Sequence, residues 1–396
     1  MIHSFTAILV LAWVGHAYLA VLLLNNLYAR PISKSFLKRF RLFIGLVILA
    51  YPFAIPVAFS DLDPGNREQA PGGIRLGLLI YAGMCALVGG VWFPLVTFAR
   101  LLRRSPPAVL STTTRTIDYW PLHRHSLLGN GKWKWVPRLP GNCVFRVDFT
   151  EITLAVRNLP AAWEGLTILH LSDLHFHGTP SQMFFQEIVK EITSRPVADL
   201  VVLAGDYVDT DQHHEWLAPV LGSVRWNECG LAVLGNHDDH HQPERLRHEL
   251  ASLGYRVLGN AWETVTIRGV PCLAVGHEGP WFRPPPSLSG APEAAFRLCV
   301  SHTPDNVCWG RDHGIDLMLS GHVHGGQIRL PGVGSIFVPS LYSRRFDMGV
   351  FDVDGTALVV SRGLSGKEPL RFRCHPQVIW IRLTQPPGER SSRLHG

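Results

Sequence analysis

The chain has 396 residues and a formal net charge of +6, a length that suits about two domains. Only 17% of its residues are charged, against about 25% in ordinary soluble domains. The shortage argues against a uniformly soluble chain, and no nucleic-acid motif accompanies the positive charge. The seven cysteines show no paired spacing, which argues against a disulfide framework and fits a reducing compartment.

The apolar excess lies in three N-terminal stretches, Phe5 to Leu27, Leu42 to Ser60 and Leu76 to Ala99, none containing Lys, Arg, Asp or Glu. Each has about the length that a hydrocarbon layer of ~30 Å requires. The second is interrupted by Pro52 and Pro56, which membrane helices tolerate. Residues 1–104 are therefore expected to form a three-span transmembrane region. Arg30, Lys34, Lys38, Arg39 and Arg41 follow the first stretch, and Arg100, Arg103 and Arg104 follow the third. Asp61, Asp63 and Glu68 stand against Arg67 and Arg75 after the second. By the positive-inside rule the N-terminus is expected outside and everything after residue 100 in the cytoplasm, at the inner membrane. His16 is the conspicuous polar residue inside these stretches and has no assigned role.

Residues 105–142 read as a basic Pro- and Trp-rich linker. From Arg100 to Arg138 eight Lys or Arg residues face one acid, Asp118, with Trp120, Trp133 and Trp135 interleaved. Such a segment beside a membrane attracts anionic lipid, by about 1 kcal/mol per basic residue. Residues 143–384 then alternate short strands and helices. Val144 to Val156 predicts a strand or hairpin. Phe184, Ile188 and Ile192 predict a helix over 183–195, and Leu246 and Leu250 another over 243–253. Thr303-Pro304-Asp305 has the form of a helix start. Strands are predicted at 327–330, 335–338, 346–351, 357–361 and 378–383, so that two sheets pack together with helices outside. Residues 385–396 read as a disordered tail.

Within this domain, five apolar runs each end in metal-binding side chains. Leu166 to Leu171 leads to Asp173 and His175, Leu200 to Ala204 to Asp206 and Asp209, and Leu231 to Leu234 to Asn236, His237 and Asp238. Leu298 to Val300 leads to His302, and Ile315 to Leu319 to His322 and His324. Open α/β sheets place ligands beyond the carboxyl ends of such buried strands. Oxygen donors mixed with imidazoles, without a thiolate cluster, suit Mn, Fe, Zn or Mg.

The series Asp173-x-His175, Gly205-Asp206-x-x-Asp209, Gly235-Asn236-His237-Asp238, His302 and Gly321-His322-x-His324 resembles the calcineurin-like metallophosphoesterases. The run from Gly321 to Gln327 and the later Ser361-Arg362-Gly363-Leu364 resemble the bacterial membrane-associated branch, which includes phosphodiesterases and enzymes that hydrolyse UDP-2,3-diacylglucosamine. The resemblance spans 165–383 and leaves the N-terminal stretches unaddressed. It implies a four-layer α/β/β/α sandwich and two divalent ions. Asp173, His175 and His324 would hold one ion with Asp206; Asn236, His302 and His322 would hold the other, with Asp206 bridging. His237 would serve the leaving group, with Asp238 orienting its ring and Asp209 orienting a ligating imidazole. His177, His240, His241 and His313 match no family position. Arg344, Arg345 and Arg362 suit either phosphate binding or structural pairing.

The expected function is hydrolysis of a phosphodiester or pyrophosphate bond in a lipid-linked substrate at the membrane. The alternatives are a tethered phosphatase or cyclic-nucleotide phosphodiesterase acting on soluble substrates, and a metal-binding module without turnover. A transporter is a weaker reading, since three spans form a pore only as an oligomer.

Overall fold

The structure, a computed structural model, describes residues 2–60 and 72–387. Asp61, Asp63, Arg67 and Glu68, and the tail beyond residue 387, lie outside them. The chain divides into two compact units, Met1–Arg104 with Pro331–Val333, and Ser105–Leu330 with Gly334–Gly396.

The first unit consists of α1 (Ile2–Tyr28), α2 (Lys34–Ser60), α3 (Gly72–Leu87), a π-helical turn (Val88–Trp92) and α4 (Phe93–Leu101). α2 runs unbroken through Pro52 and Pro56. Ala12, Tyr51, Ala82 and Cys85 form its small core. Two glycines set how closely α1 approaches its neighbours: a Cβ on Gly15 would lie 1.9 Å from the Cys85 carbonyl oxygen, and one on Gly89 2.0 Å from that of Leu11. Small residues at such crossings let helix backbones meet. His16 Nδ1 lies 2.7 Å from the Tyr81 hydroxyl, and its ring stacks on Tyr51 at 4.4 Å. The histidine thus bonds within the helix bundle. Among the described residues, two stretches are long and apolar enough to cross a membrane, Thr6–Tyr28 and Leu76–Leu101.

The second unit opens with β1 (Val109–Asp118), α5 (Trp120–His123), β2 (Arg146–Ala155), β3 (Thr167–Leu171), α6 (Gln182–Thr193) and β4 (Ala198–Leu203). Next come α7 (Leu217–Leu221), β5 (Trp226–Ala232), α8 (Pro243–Ser252), β6 (Arg256–Val257), β7 (Trp262–Ile267), β8 (Val270–His277) and β9 (Phe296–Ser301). The unit ends with α9 (Val307–Asp312), β10 (Leu317–Ser320), β11 (Arg329–Leu330), β12 (Gly334–Ser335), β13 (Gly349–Val353), β14 (Thr356–Val360) and β15 (Gln377–Thr384).

The expectation of an irregular linker over 105–142 is corrected here. Val109–Asp118 is a ten-residue strand, antiparallel to β2, at the edge of a seven-stranded sheet ordered β1-β2-β15-β3-β4-β5-β6. Its four threonines, with Val109 and Ile117, favour a strand. Most of its side chains are exposed, so it lacks the apolar alternation that reveals a half-buried strand.

A six-stranded sheet ordered β13-β14-β10-β9-β8-β7 forms the second layer of strands. β3, β4, β5 and β6 run parallel in the first sheet, and β8, β9, β10 and β14 in the second. Ile168, Leu200, Val202 and Leu231 of the first share one core with Ala274, Leu298, Leu317 and Val359 of the second. The first sheet's other face, with Leu169 and Val201, packs on Phe184 and Ile188 of α6, Leu217 of α7 and Leu246 of α8. The second sheet's Leu273, Cys299, Met318 and Leu358 pack with Val307 of α9 and Phe346. Each fully buried Leu, Ile, Val or Phe contributes ~1.5–3 kcal/mol. The parallel strands therefore sit in apolar surroundings, and the polar chemistry is left to their ends.

Candidate metal centre

The candidate ligands stand just beyond β3 (Asp173, His175), β4 (Asp206), β5 (Asn236), β9 (His302) and β10 (His322, His324). Both sheets thus deliver side chains to one place. The loops interlock through backbone bonds: Asp173 N–H donates to Gly205 O at 2.9 Å, His175 N–H to Asp206 O at 2.9 Å, and Gly321 N–H to His302 O at 3.0 Å. His302 Nδ1 donates to Ala204 O at 2.7 Å, which ties the second sheet to the end of β4.

Asp173, His175, Asp206, His322 and His324 all have positive φ, between 47° and 71°. Such backbone costs a non-glycine residue of order 1–3 kcal/mol and persists where the surroundings impose it. Its concentration on five of the seven candidates marks a constrained functional site.

Three groups each bring their candidate atoms within 4.8 Å of one another: Asp173, His175 and His324; His175, Asp206 and His237; and Asp206, His302 and His322. Asp206 Oδ2 lies 3.4 Å from His175 Nε2 and 3.4 Å from His302 Nε2. Asn236 Oδ1 is 3.0 Å from His302 Nε2. Asp173 Oδ1 is 4.0 Å from His175 Nε2 and 3.8 Å from His324 Nε2. His175 Nε2, His322 Nε2 and His324 Nδ1 are buried without a hydrogen-bond partner. Buried nitrogens are rarely left so, and a cation would satisfy them; the donor set fits one.

Charge is unevenly held. Burial opposes ionisation of Asp206, but His302, His237 and His175 outweigh it and hold the carboxyl well below the usual range. Asp173 is pushed up by burial and by the charge of Asp206. Burial disfavours the charged forms of His175 and His302, yet Asp209 and Asp206 around the first, and Asp206 and Asp173 around the second, hold both at about 9. Burial keeps His237, His322 and His324 below the ordinary histidine value. Those three are neutral at pH 7, the state in which imidazole ligates.

The expected pairing of Asp238 with the His237 ring does not occur. Asp238 Oδ2 accepts from the N–H groups of Asp206 and Gly235, both at 2.8 Å, and Oδ1 from Tyr207 at 2.9 Å and Val208 at 3.3 Å. It staples the β4 and β5 loops together, while burial and Asp206 push its carboxyl up to about 7. The His237 ring is held instead by Asp209, whose Oδ1 bonds His237 Nδ1 and also meets His175 Nδ1 at 3.2 Å.

A model of the family described as calcineurin-like phosphoesterase matches residues 166–326. The metallophosphoesterase YkuE of Bacillus subtilis is 30% identical over 258 residues, covering 60% of this chain and 85% of the relative. The chain is a calcineurin-like metallophosphoesterase. The phosphodiesterase YaeI of Escherichia coli is 33% identical, covering 54% of this chain and 81% of the relative. The UDP-2,3-diacylglucosamine pyrophosphatase LpxG of Chlamydia trachomatis is 24% identical, covering 64% of this chain and 94% of the relative. The family is one of metal-dependent hydrolases of phosphate esters and anhydrides.

Other residues of this metallophosphoesterase support the centre from inside and outside its motifs. A Cβ on Gly235 would lie 2.2 Å from Asp206 Oδ1, and one on Gly321 2.4 Å from Asp173 Oδ2; both motif glycines are there for close approach. Behind Asp173, the N–H groups of Leu364 and Ser365 donate to Ser172 O and Asp173 O at 3.0 and 2.8 Å. Arg371, 1% exposed, gathers that segment by donating to the carbonyls of Arg362 (2.7 Å), Ser365 and His324 (3.4 Å). Arg362 pairs with Asp148 at 2.8 Å and Gln377 at 3.2 Å, a structural role. His177 bonds Gly366 O, His241 bonds Asp211, and His313 stacks on Trp309. Trp281 packs on His302 and His322, ring centroids 5.7 and 4.7 Å apart.

Proposed function

We propose that this metallophosphoesterase is membrane-anchored, that its centre holds two divalent ions, and that it hydrolyses a phosphodiester or pyrophosphate bond in a lipid-linked substrate at the cytoplasmic face. The observation that carries the reading is Asp206, whose Oδ2 stands 3.4 Å from an imidazole nitrogen on either side. A carboxylate so placed can serve two ions, since its oxygens carry several lone pairs. Asp173, His175, Asp206 and His324 would hold one; Asp206, Asn236, His302 and His322 would hold the other, with Mn, Fe, Zn or Mg suited to these donors. Bound there, the pair supplies Lewis acidity to the phosphoryl oxygens and an acidified water for in-line attack.

The remaining groups act on protons and position. Asp209 accepts a hydrogen bond from His237 Nδ1, which leaves Nε2 bare on the neutral ring; it would first take up a proton there, from the attacking water, before giving one to the departing oxygen. Asp238 fixes the path of the backbone that presents Asp206 and Asn236. The one core shared by the sheets and the outer layers against α6, α7, α8 and α9 support the α/β/β/α sandwich.

Membrane anchoring is supported by the two long apolar helical stretches and by outward-facing Leu46, Phe53 and Leu87, as a bundle in lipid requires. The basic flanks at 30–41 and 100–104 support a cytoplasmic domain and attraction to anionic lipid. The lipid-linked substrate is supported by the similarity to LpxG.

The test uses the full chain in detergent with bis(p-nitrophenyl) phosphate, with Mn or chelator, beside Asp206→Asn. Hydrolysis that requires metal and vanishes in the variant is expected; chelator-resistant hydrolysis, or an active variant, would overturn the reading. Faster turnover of detergent-dispersed lipid pyrophosphates than of soluble diesters is expected for a lipid substrate. The reverse order would favour a tethered enzyme for soluble esters.

A further inference from the structure

Trp281 belongs to none of the five motifs, yet it borders the centre. Its ring packs against His322 at 4.7 Å and His302 at 5.7 Å, while those imidazoles are 5% and 0% exposed. The tryptophan itself is only half-buried, so it forms part of the rim beside the atoms that would hold a phosphoryl group.

The segment that carries it is fastened at several points. Glu278 accepts from Leu234 N–H at 2.7 Å and from both terminal nitrogens of Arg247 at 2.9 and 2.5 Å. Asn260 accepts from Glu278 N–H at 2.6 Å and donates to Phe282 O at 2.9 Å. Asn306 donates to Gly279 O at 3.0 Å. The Arg247 guanidinium also lies over the Phe282 ring at 5.3 Å. Helix α8, the β5 and β6 loops and the start of α9 thus all hold residues 278–282. A large ring held this way loses little freedom when a ligand arrives, which is what a binding surface needs.

Packing alone does not require this arrangement. An aliphatic side chain would cover two imidazole edges, whereas a partly exposed indole at this place adds an aromatic ring that can stack. We infer that Trp281 is a substrate-contacting residue that selects phosphate esters carrying a planar ring next to the scissile phosphoryl group. The inference rests on the phosphoesterase reading above and not on its lipid-linked part, and it adds the chemical class of the group beside the phosphorus.

The experiment is calorimetric binding of phenylphosphonate and methylphosphonate to the full, Mn-loaded chain in detergent. Trp281→Phe, Trp281→Leu and Trp281→Ala are compared, with metal content measured for each. Wild type is expected to bind the phenyl compound about tenfold more tightly, the worth of one ring stack. Trp281→Phe keeps most of that preference; Trp281→Leu and Trp281→Ala lose it, with methylphosphonate affinity and metal content unchanged. A preference that survives in Trp281→Ala overturns the assignment. So does an equal loss for both ligands with falling metal content, which would make the ring a prop for His302 and His322. Wild type that binds methylphosphonate without preferring phenyl sinks the assignment alone. Wild type that binds neither also overturns the assignment, and metal-dependent hydrolysis of bis(p-nitrophenyl) phosphate then shows whether the phosphoesterase reading stands without it.

Discussion

The two sheets contribute different chemistry to the centre. Loops after β3, β4 and β5 bring every carboxylate, Asp173, Asp206, Asp209 and Asp238, together with His175, Asn236 and His237, while loops after β9 and β10 bring only His302, His322 and His324. The carboxylate half is braced by backbone N–H groups: Asp173 accepts from His322 N–H at 3.0 Å, Asp206 from His237 N–H at 2.8 Å, and Asp238 from four residues. The imidazole half keeps bare nitrogens on His322 and His324. Negative charge is therefore fixed by one sheet alone, the other adds imidazoles only, and Asp206 is where they meet.

The largest effect should come from breaking that meeting point. Asp206→Asn removes the one charge shared by both sides, and turnover should fall by more than about a thousandfold, beyond the ~10–100-fold typical of outer partners. Asp209→Asn should fall in that ~10–100-fold range, because it releases His175 and His237 without removing a candidate ligand. Turnover measured at saturating Mn separates the two; equal losses would show that Asp206 is no more than an orienting group.

Asp238→Asn sharpens the contrast within the carboxylate half. Its amide would face two of the four N–H donors, so stability should drop by roughly 1–3 kcal/mol, read as a lower melting temperature. Asp209→Asn should also lower the melting temperature, since it removes the charge that holds His175 at about 9, so turnover separates the two variants: a larger turnover loss in Asp238→Asn than in Asp209→Asn would restore Asp238 to the His237 ring.

The protonated histidines predict a gentler effect with a definite sign. His175 and His302 are held at about 9 against an ordinary 6.5. A raised pKa stabilises the fold fully below about 6.5, and that stability is lost as pH rises through about 9. Chelator-treated protein should thus melt lower at pH 9 than at pH 6.5, as far as these groups decide. Cation uptake has the opposite slope, because ligation displaces both protons. Titration at pH 7 in buffers of different ionisation enthalpy should reveal about two protons released; none released would contradict the charge assignment.

How much of this was readable beforehand depended on local signals. The strand ends were legible because buried runs such as Leu200–Ala204 stop at Gly-Asp or Gly-Asn, where the backbone must turn and approach closely. Asp209 meets His175, and it also takes the His237 ring expected of Asp238. Neighbours in sequence such as His237 and Asp238 point apart once the 3₁₀ turn at Asp238–His240 forms. β1 escaped because an exposed edge strand shows no alternation. The β7–β8 hairpin was missed although Arg268 and Gly269, both at positive φ, are a legible turn. Trp281 and Arg371 lie in loops far from the motifs in sequence, and only the fold brings them to the centre.

The most direct test is the metal content of the stripped and reloaded full chain by mass spectrometry. A shared centre predicts two divalent ions per chain in wild type and a loss of both sites' affinity in Asp206→Asn. One ion per chain in wild type, or two retained in the variant, would contradict it.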